Sequence, residues 1–103
     1  MNSKCHVEPI QKKPTVEEQR NTKAVLLTLW GVECSNCANR VRNSLLLLKG
    51  VLDVYVDHID GQARVVFNPN MVTIAELISA VASAGGDGIH EYQAEIEAVK
   101  GIP

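Results

Sequence analysis

Two cysteines, Cys34 and Cys37, stand where an apolar strand-like run meets an amphipathic helix-like run. Thiols at this spacing are typical of three kinds of site: half of a structural zinc site, a redox dithiol, or a two-thiolate site for a soft metal ion. A structural zinc site takes four protein ligands, but the sequence contains no second Cys-x-x-Cys pair and no His-x₃-His pair. The spacing alone leaves the redox dithiol and the two-thiolate metal site as alternatives.

The size and composition of the chain limit the class of protein. A length of 103 residues, 46% of them hydrophobic, suffices for one domain core. The net charge of −2 and the 4% aromatic content argue against nucleic acid as a partner. No apolar run approaches the roughly 20 residues that span a bilayer, and the first residues lack the apolar segment of a secretory signal. We therefore expect a cytoplasmic protein that is not embedded in a membrane and keeps its thiols reduced.

Hydrophobic periodicity predicts six elements in the order β-α-β-β-α-β. They are a strand at 24–30, a helix at 35–49 ended by a glycine, a hairpin with strands at 51–57 and 63–67, a helix opened by the capping box at 73–76 and ended by the glycines at 85 and 86, and an edge strand at 89–96. This order indicates an α+β, ferredoxin-like βαββαβ fold with a four-stranded antiparallel sheet and two helices on one face.

The same pattern divides the chain into three parts. Residues 1–23 mix charges with prolines and lack apolar periodicity, so we expect a flexible N-terminal leader. Residues 24–96 form the predicted domain, and residues 97–103 a frayed C-terminal tail. In this topology the cysteine loop, the hairpin turn at 58–61 and the loop at 85–88 lie at the same end of the sheet. The initiating Met and short tail favour a free-standing carrier over a module of a larger transporter.

The position of the cysteines favours metal binding. Cys34 is expected on the loop and Cys37 in the first helical turn, where unsatisfied backbone amides and the positive end of the helix dipole favour thiolates. Two thiolates satisfy Cu(I), which accepts low coordination numbers, whereas Zn(II) usually takes four ligands. An exposed site of two ligands also leaves the ion accessible to an incoming thiolate, so it suits transfer of the ion by ligand exchange.

Four segments of the chain resemble the heavy-metal-associated domain family. They are the Gly-x-x-Cys-x-x-Cys loop at 31–37, Leu48-Lys49-Gly50-Val51, Val54-x-Val56 and Ala82-Ser83-Ala84-Gly85. The family includes copper chaperones, a mercury-binding protein and modules of P-type ATPases. The resemblance implies a metallochaperone or transporter module that holds metal on Cys34 and Cys37 and docks transiently with a metal-transporting P-type ATPase or its metal-binding domain. We expect no enzyme activity, and a dithiol oxidoreductase is the alternative.

Several other residues are candidates for a third ligand. An acidic residue at the position of Glu33 can serve as a third ligand in zinc-, cadmium- and lead-exporting relatives, so Glu33 shifts weight toward Zn(II), Cd(II) or Pb(II). Cu(I) stays the expected ion, with these divalent ions as the alternative. His90 follows the second helix at the same end, and His58 lies farther across the hairpin turn. Cys5 and His6 form a soft-ligand pair on a segment whose typical reach is about 25 Å. That segment can fold up to the site or bridge two molecules, so we expect a monomer, with a metal-bridged dimer as the alternative.

Two surface features bear on partners. Arg40, Arg42 and Lys49 make the first helix basic next to the cysteines, which favours docking of an acidic partner domain. Leu46 and Leu47 do not fit the narrow apolar stripe of that helix. They indicate either a wide buried face or an exposed apolar patch for a partner or a second copy.

Overall fold

The structure, a computed structural model, describes residues 8–85 and 91–101, the last three of these by their backbone alone. The elements are β1 (Lys23–Trp30), α1 (Ser35–Leu46), β2 (Val51–Asp57), β3 (Gln62–Phe67), α2 (Ile74–Ser83) and β4 (Gln93–Gly101), preceded by one 3₁₀ turn at Glu18–Arg20. The four strands form one antiparallel sheet in the order β2-β3-β1-β4. This is the predicted ferredoxin-like βαββαβ fold, which is confirmed.

The core lies between the sheet and its helices. The alternation in β1 is as predicted, because Val25, Leu27 and Leu29 are all buried. Helix α1 contacts β2, α2 contacts β4, and the two helices contact each other. Neither helix of the described part of the chain has the length and apolar character needed to cross a bilayer. The loops that connect the elements lie at the two ends of the sheet, and different kinds of side chain lie at each end.

Helix α1 ends earlier than the sequence predicts. The predicted end was Lys49, but the last helical residue is Leu46, with Leu47 as the C-cap. Gly50 lies beyond the helix in the turn into β2, with a φ of 102° that favours glycine. The two leucines that do not fit the apolar stripe of α1 differ in exposure, because Leu46 is 3% exposed and Leu47 is 76% exposed. Leu46 thus belongs to a wide buried face, and Leu47 is an exposed leucine beside it.

Strand β4 is shifted relative to the prediction of 89–96. It begins at Gln93 and pairs with β1 as far as Gly101, so the predicted tail from 97 is strand up to that residue. A register shift between Leu26 and Leu27 leaves an extra residue on β4, because these two positions pair with Ala98 and Ile96. Such a bulge interrupts the alternation of side chains. The sequence pattern therefore did not indicate that the strand continues.

The segment before β1 contacts the domain instead of extending freely as a leader. The side chain of Asn43 accepts a hydrogen bond from the backbone N–H of Ile10 at 2.9 Å and donates one to the carbonyl of Glu8 at 2.6 Å. Arg42 donates to the carbonyl of Ile10 at 2.8 Å. Glu8 and Ile10 thus have defined contacts with α1. The domain boundary between residues 23 and 24 stays a prediction.

A buried carboxylate fixes the same segment at its other end. Glu18 is 2% exposed and accepts hydrogen bonds from the backbone N–H of Thr15 at 2.8 Å and of Gly50 at 2.6 Å. Lys12 forms an ion pair with it at 3.1 Å. Burial raises the pKa of Glu18, but these hydrogen bonds and the ammonium outweigh burial and lower the pKa to about 2. The carboxylate therefore stays charged inside the fold.

Candidate metal centre

The loop that carries the cysteines starts at the Gly31 passage, where the backbone of Gly31 lies close to that of Glu91, just before β4. Gly31 has a φ of 86°, and a Cβ at this position would overlap the carbonyl oxygen of Glu91. Only glycine fits both the backbone conformation and the close approach. The next residue, Val32, is buried, so it anchors the loop in the core. The chain is therefore held in place immediately before Glu33 and the first cysteine.

Cys34 is the N-cap of α1. Its backbone is extended, with φ −145° and ψ 168°, and its Sγ accepts a hydrogen bond from the backbone N–H of Cys37 at 3.4 Å. Its carbonyl accepts the hydrogen bond from Ala38 at 2.9 Å that starts the helix. A side-chain acceptor at this position usually comes from Ser, Thr, Asp or Asn. Here the sulfur takes that place while Cys34 stays exposed to solvent.

Cys37 lies in the first turn of α1 and is buried, at 4% exposure. Its sulfur is 3.2 Å from the sulfur of Cys34, and both residues are free cysteines. Two sulfurs that bind one tetrahedral ion at about 2.3 Å each are roughly 3.8 Å apart. For a tetrahedral ion the two sulfurs need to move apart by about half an ångström, and for an ion held linearly by the two sulfurs alone by more than about 1 Å. Cys34 has room to move because it faces solvent.

Hydrogen bonds favour the thiolate of Cys37. Burial raises its pKa, but the Tyr92 hydroxyl, the Cys34 thiol and the backbone of Glu33 and Cys34 outweigh burial and lower it. Tyr92 is itself 3% exposed, and burial together with Cys37 raises the pKa of its hydroxyl well above the usual range. The hydroxyl of Tyr92 thus stays protonated beside the Cys37 thiol.

Tyr92 is the residue of the site that sequence reasoning missed. The predicted strand at 89–96 placed it in mid-strand, whereas it lies just before β4, on the chain that covers Gly31. A signal existed, because tyrosine combines an apolar body with a polar tip, and a buried tyrosine usually has a hydrogen-bond partner. Only the three-dimensional arrangement identifies Cys37 as that partner.

The other predicted ligands among the described residues, Glu33 and His58, do not form a ligand group with the two sulfurs. Among the described residues, no group of three or more His, Cys, Asp or Glu side chains is arranged to hold a metal ion. Glu33 is exposed next to Cys34, and His58 is half-buried at the hairpin turn. Their ligand roles stay predictions. The remaining candidates, Cys5, His6 and His90, lie outside the described residues.

The predicted basic stripe of α1 is only partly available for docking. The guanidinium of Arg42 donates to the carbonyl of Ile10 and is half-buried, so the N-terminal segment occupies it. Arg40 is half-buried as well, and Lys49 is exposed beyond the end of the helix. Trp30, at the last position of β1, is 46% exposed. The exposed part of the metal end is therefore less basic than the sequence predicted.

Comparisons with known proteins identify the family. A sequence model of the heavy-metal-associated domain matches residues 27–87, more than half of the chain. The chain is 31% identical over 62 residues to the copper chaperone CopZ of Staphylococcus haemolyticus, a match that covers 60% of this chain and 91% of that protein. It is 26% identical over 72 residues to Copper-transporting ATPase 2 of Homo sapiens, covering 70% of this chain and 5% of the ATPase.

A solved structure supports the same assignment. The copper binding domain of HMA7, a P-type ATPase, superposes with a TM-score of 0.67 at 28% identity, covering 75% of this chain and 96% of that domain. The chain spans only 5% and 6% of the length of the human and Arabidopsis thaliana copper ATPases that it matches. The matched segment includes both cysteines, the Gly31 passage and the two helices that frame them. The chain therefore belongs to the heavy-metal-associated domain family.

Proposed function

We propose that this protein carries Cu(I) on Cys34 and Cys37 and passes the ion to a metal-transporting P-type ATPase, or to the metal-binding domain of one, by thiolate exchange. The observation that carries the proposal is a pair of free thiols 3.2 Å apart, of which one is buried and the other exposed. Two soft ligands without a third in the described residues favour an ion that accepts low coordination numbers.

The unequal exposure of the two sulfurs gives the exchange an order. An incoming thiolate approaches from the solvent side, where Cys34 lies, and binds the ion before either original bond breaks. Cys34 then leaves first, because it is on the loop and free to swing outward. Cys37 leaves last and is replaced by a second thiolate of the partner. Each new metal–sulfur bond replaces one that breaks, so the ion is never released to water.

The relatives support the proposed partner. The names of the matched proteins, a copper chaperone and copper-transporting ATPases, support Cu(I) as the cargo and a P-type ATPase as the receiver. We propose transient docking of a cytoplasmic monomer whose residues 24–96 form the carrier domain. In this role the dithiol holds cargo and does not turn over disulfides, so the protein is not an enzyme.

A competitive titration of the reduced protein with Cu(I) and Zn(II) tests the proposal. We expect Cu(I) to bind one per chain, with metal–sulfur scattering at about 2.2–2.3 Å in X-ray absorption. Cys34→Ser should remove this binding. Absence of sulfur scattering, or catalytic turnover of disulfides by the metal-free protein, would overturn the proposal.

Glu33 decides between Cu(I) and the divalent ions. We expect Glu33→Ala to lose any Zn(II) binding and to keep Cu(I) affinity nearly intact, because a carboxylate is a hard ligand that Cu(I) does not need. Glu33→Gln is the matched control, since it keeps the size of the side chain and removes its charge. Tight Zn(II), Cd(II) or Pb(II) binding that depends on Glu33 and exceeds Cu(I) binding would make the protein a divalent-metal carrier instead.

A further inference from the structure

Two large apolar side chains are exposed at the end of the sheet that carries the cysteines. Trp30, the last residue of β1, is 46% exposed, and Ile59, in the hairpin turn between β2 and β3, is 84% exposed. Leu29 is buried in the core, so Trp30, the next residue of the strand, lies on the face of the sheet opposite to the helices. Trp30 and Ile59 together form the tryptophan–isoleucine patch of this end.

Backbone hydrogen bonds hold the two members of the patch near each other. The N–H of Leu29 donates to the carbonyl of Gly61 at 2.7 Å. Antiparallel pairing one step further along places Trp30 beside the turn that carries Ile59. The turn is itself fixed, because Oδ1 of Asp57 accepts a hydrogen bond from the N–H of Ile59 at 2.9 Å. The patch is therefore preorganised, which lowers the entropy cost of binding a partner.

The patch is continuous with the cysteine loop. Trp30 directly precedes Gly31, whose backbone lies close to that of Glu91, and the exposed Cys34 follows three residues after Gly31. A stretch of four residues spans at most about 14 Å. A protein domain that reaches the sulfur of Cys34 can therefore contact Trp30 in the same encounter.

Exposed carboxylates lie beside the patch. They belong to Glu33 on the cysteine loop, Asp60 in the hairpin turn, Glu91 just before β4, and Glu95 in β4. Glu95 is two positions after Gln93, the pairing partner of Trp30, so it lies on the same face of the sheet as Trp30. These four side chains place negative charge on several sides of the route to the metal site.

The arginines of α1 add little exposed positive charge at this end. Arg40 is half-buried, and the guanidinium of Arg42 donates to the carbonyl of Ile10. A bound Cu(I) ion does not reverse the sign either, because Cu(I) with two thiolates has a net charge of −1. The surface that a partner meets therefore combines an apolar patch with negative charge.

We propose that the tryptophan–isoleucine patch and the carboxylates beside it are the surface on which the metal-binding domain of the receiving ATPase docks, and that this domain presents an apolar recess flanked by lysine or arginine side chains. This inference rests on the proposed function and names the chemistry of its partner. The basic stripe of α1 favoured an acidic partner, whereas the exposed charges favour a basic one.

A second copy of the chain fits this surface poorly. Two copies would bring the same carboxylates together, and like charges across an interface oppose association. The apolar area is also small, because an aromatic side chain buries at most about 250 Å² and stable interfaces bury about 1,200 Å² or more. A small apolar contact with charges around it suits a partner that binds briefly and leaves.

The first experiment measures the rate of Cu(I) transfer from the loaded full chain to two synthetic acceptor peptides. Both peptides contain the same Cys-x-x-Cys centre and leucines, and one is flanked by lysines and the other by glutamates. At low salt we expect transfer to the lysine peptide to be about tenfold faster. This advantage should shrink towards 1 M salt, where charges are screened within about 3 Å. Equal rates, or faster transfer to the glutamate peptide, would overturn the basic partner.

Charge variants of the protein isolate its own contribution, because lysines also favour the thiolates of the peptide. Glu95→Lys should slow transfer to the lysine peptide about fivefold by placing like charges together. Glu17→Lys is the matched control, since it makes the same change at an exposed position at the other end of the sheet, and it should leave the rate unchanged. Equal effects of the two variants would mean that net charge, rather than this surface, sets the rate.

Apolar variants test the patch itself. Ile59→Ser should slow transfer to the lysine peptide about fivefold, because an apolar anchor of an interface commonly contributes at least that factor. Leu47→Ser is the matched control, since Leu47 is 76% exposed at the other end of the sheet, and it should have no effect. Both side chains are exposed, so loss of the fold does not account for a difference. Equal rates in the two variants would overturn the role of the patch.

A metal-free measurement separates docking from transfer. Trp30 is the single tryptophan of the chain, so its fluorescence should change when a lysine peptide with serines in place of its cysteines binds. Cu(I) binding by the protein without this response, and with equal transfer rates to both peptides, would overturn the docking surface and leave the carrier function intact. A dimer that Ile59→Ser dissociates in sedimentation would assign the patch to a second copy instead. Absence of copper–sulfur scattering would overturn the proposed function itself.

Discussion

Each end of the sheet holds a group that accepts hydrogen bonds, a carboxylate at the closed end (Glu18) and a thiol pair at the open end (Cys34 and Cys37). The two ends differ in how far they shield that group from solvent. At one end, Glu18 is 2% exposed, and donors from Thr15, Gly50 and Lys12 occupy both of its oxygens. At the other end, Cys37 is buried but its neighbour Cys34 is open to solvent. The enclosed carboxylate can only stabilise the fold, whereas the half-open thiol pair can exchange a ligand.

The largest expected effect is at the open end, where a substitution should weaken Cu(I) binding strongly and change stability little. Cys37→Ser should lower Cu(I) affinity by more than about a hundredfold, because residues that merely support a ligand already change affinity 10- to 100-fold. The free energy of unfolding of the metal-free protein should change by only about 1 kcal/mol, since serine keeps a polar group next to Tyr92. Competition with a Cu(I) chelator and urea denaturation measure the two quantities. Ser35→Ala, at an exposed position beside the site, is the control and should alter neither.

The second prediction concerns the closed end. Glu18→Ala should lower the free energy of unfolding by about 3 kcal/mol, because it leaves the Gly50 amide and the Lys12 ammonium without their buried partner. Cu(I) affinity should remain within about twofold of the native value. Glu17→Ala, an exposed neighbour, should change stability by less than about 0.5 kcal/mol. Equal effects of the two substitutions would contradict the structural role of Glu18.

The third prediction is that the stability contributed by Glu18 depends on pH. The pKa of Glu18 is about 2 in the fold, against an ordinary value of 4.5. A lowered pKa means that the carboxylate contributes its full stabilisation above the ordinary value and loses it as the pH falls towards 2. The stability difference between the native protein and Glu18→Gln should therefore shrink between about pH 4.5 and pH 2. A difference that stays constant over this range would argue against a lowered pKa.

The smallest expected effect tests how the closed end is built. Lys12→Met should reduce stability by about 1 kcal/mol, because the ammonium is partly exposed and the two backbone donors to Glu18 remain. Thermal or urea denaturation measures the change, and Lys13→Met at an exposed position is the control. A loss as large as that of Glu18→Ala would mean that the ion pair, rather than the backbone amides, holds the carboxylate.

The fold and the two thiols could be predicted because local signals specify them. Alternation in β1, the capping box of α2 and the position of the cysteines at a strand-to-helix junction depend on neighbours in the sequence. In α2 the predicted box is present, with Thr73 and Glu76 each accepting from the backbone of the other. The resemblance to a known family added the proposal that these two thiols bind metal.

The closed end and Tyr92 could not be predicted because they depend on distant contacts. Glu18 and Gly50 are 32 positions apart, and nothing in a charged segment without apolar periodicity marks one glutamate as buried. Tyr92 lies 55 positions after Cys37 in the sequence and meets it only in the folded core, and the bulge in β4 concealed where that strand begins and ends. Long-range packing decided both features.

The N-cap formed by Cys34 has a consequence for the metal-free protein. The sulfur of Cys34 that would bind an ion also caps the N-terminus of α1. Departure of the ion therefore does not leave the backbone N–H of Cys37 without an acceptor. In the proposed carrier role, the metal-free protein keeps the first turn of α1 formed for the next ion. Loading and unloading then need only a small swing of one side chain, and no refolding step delays the cycle.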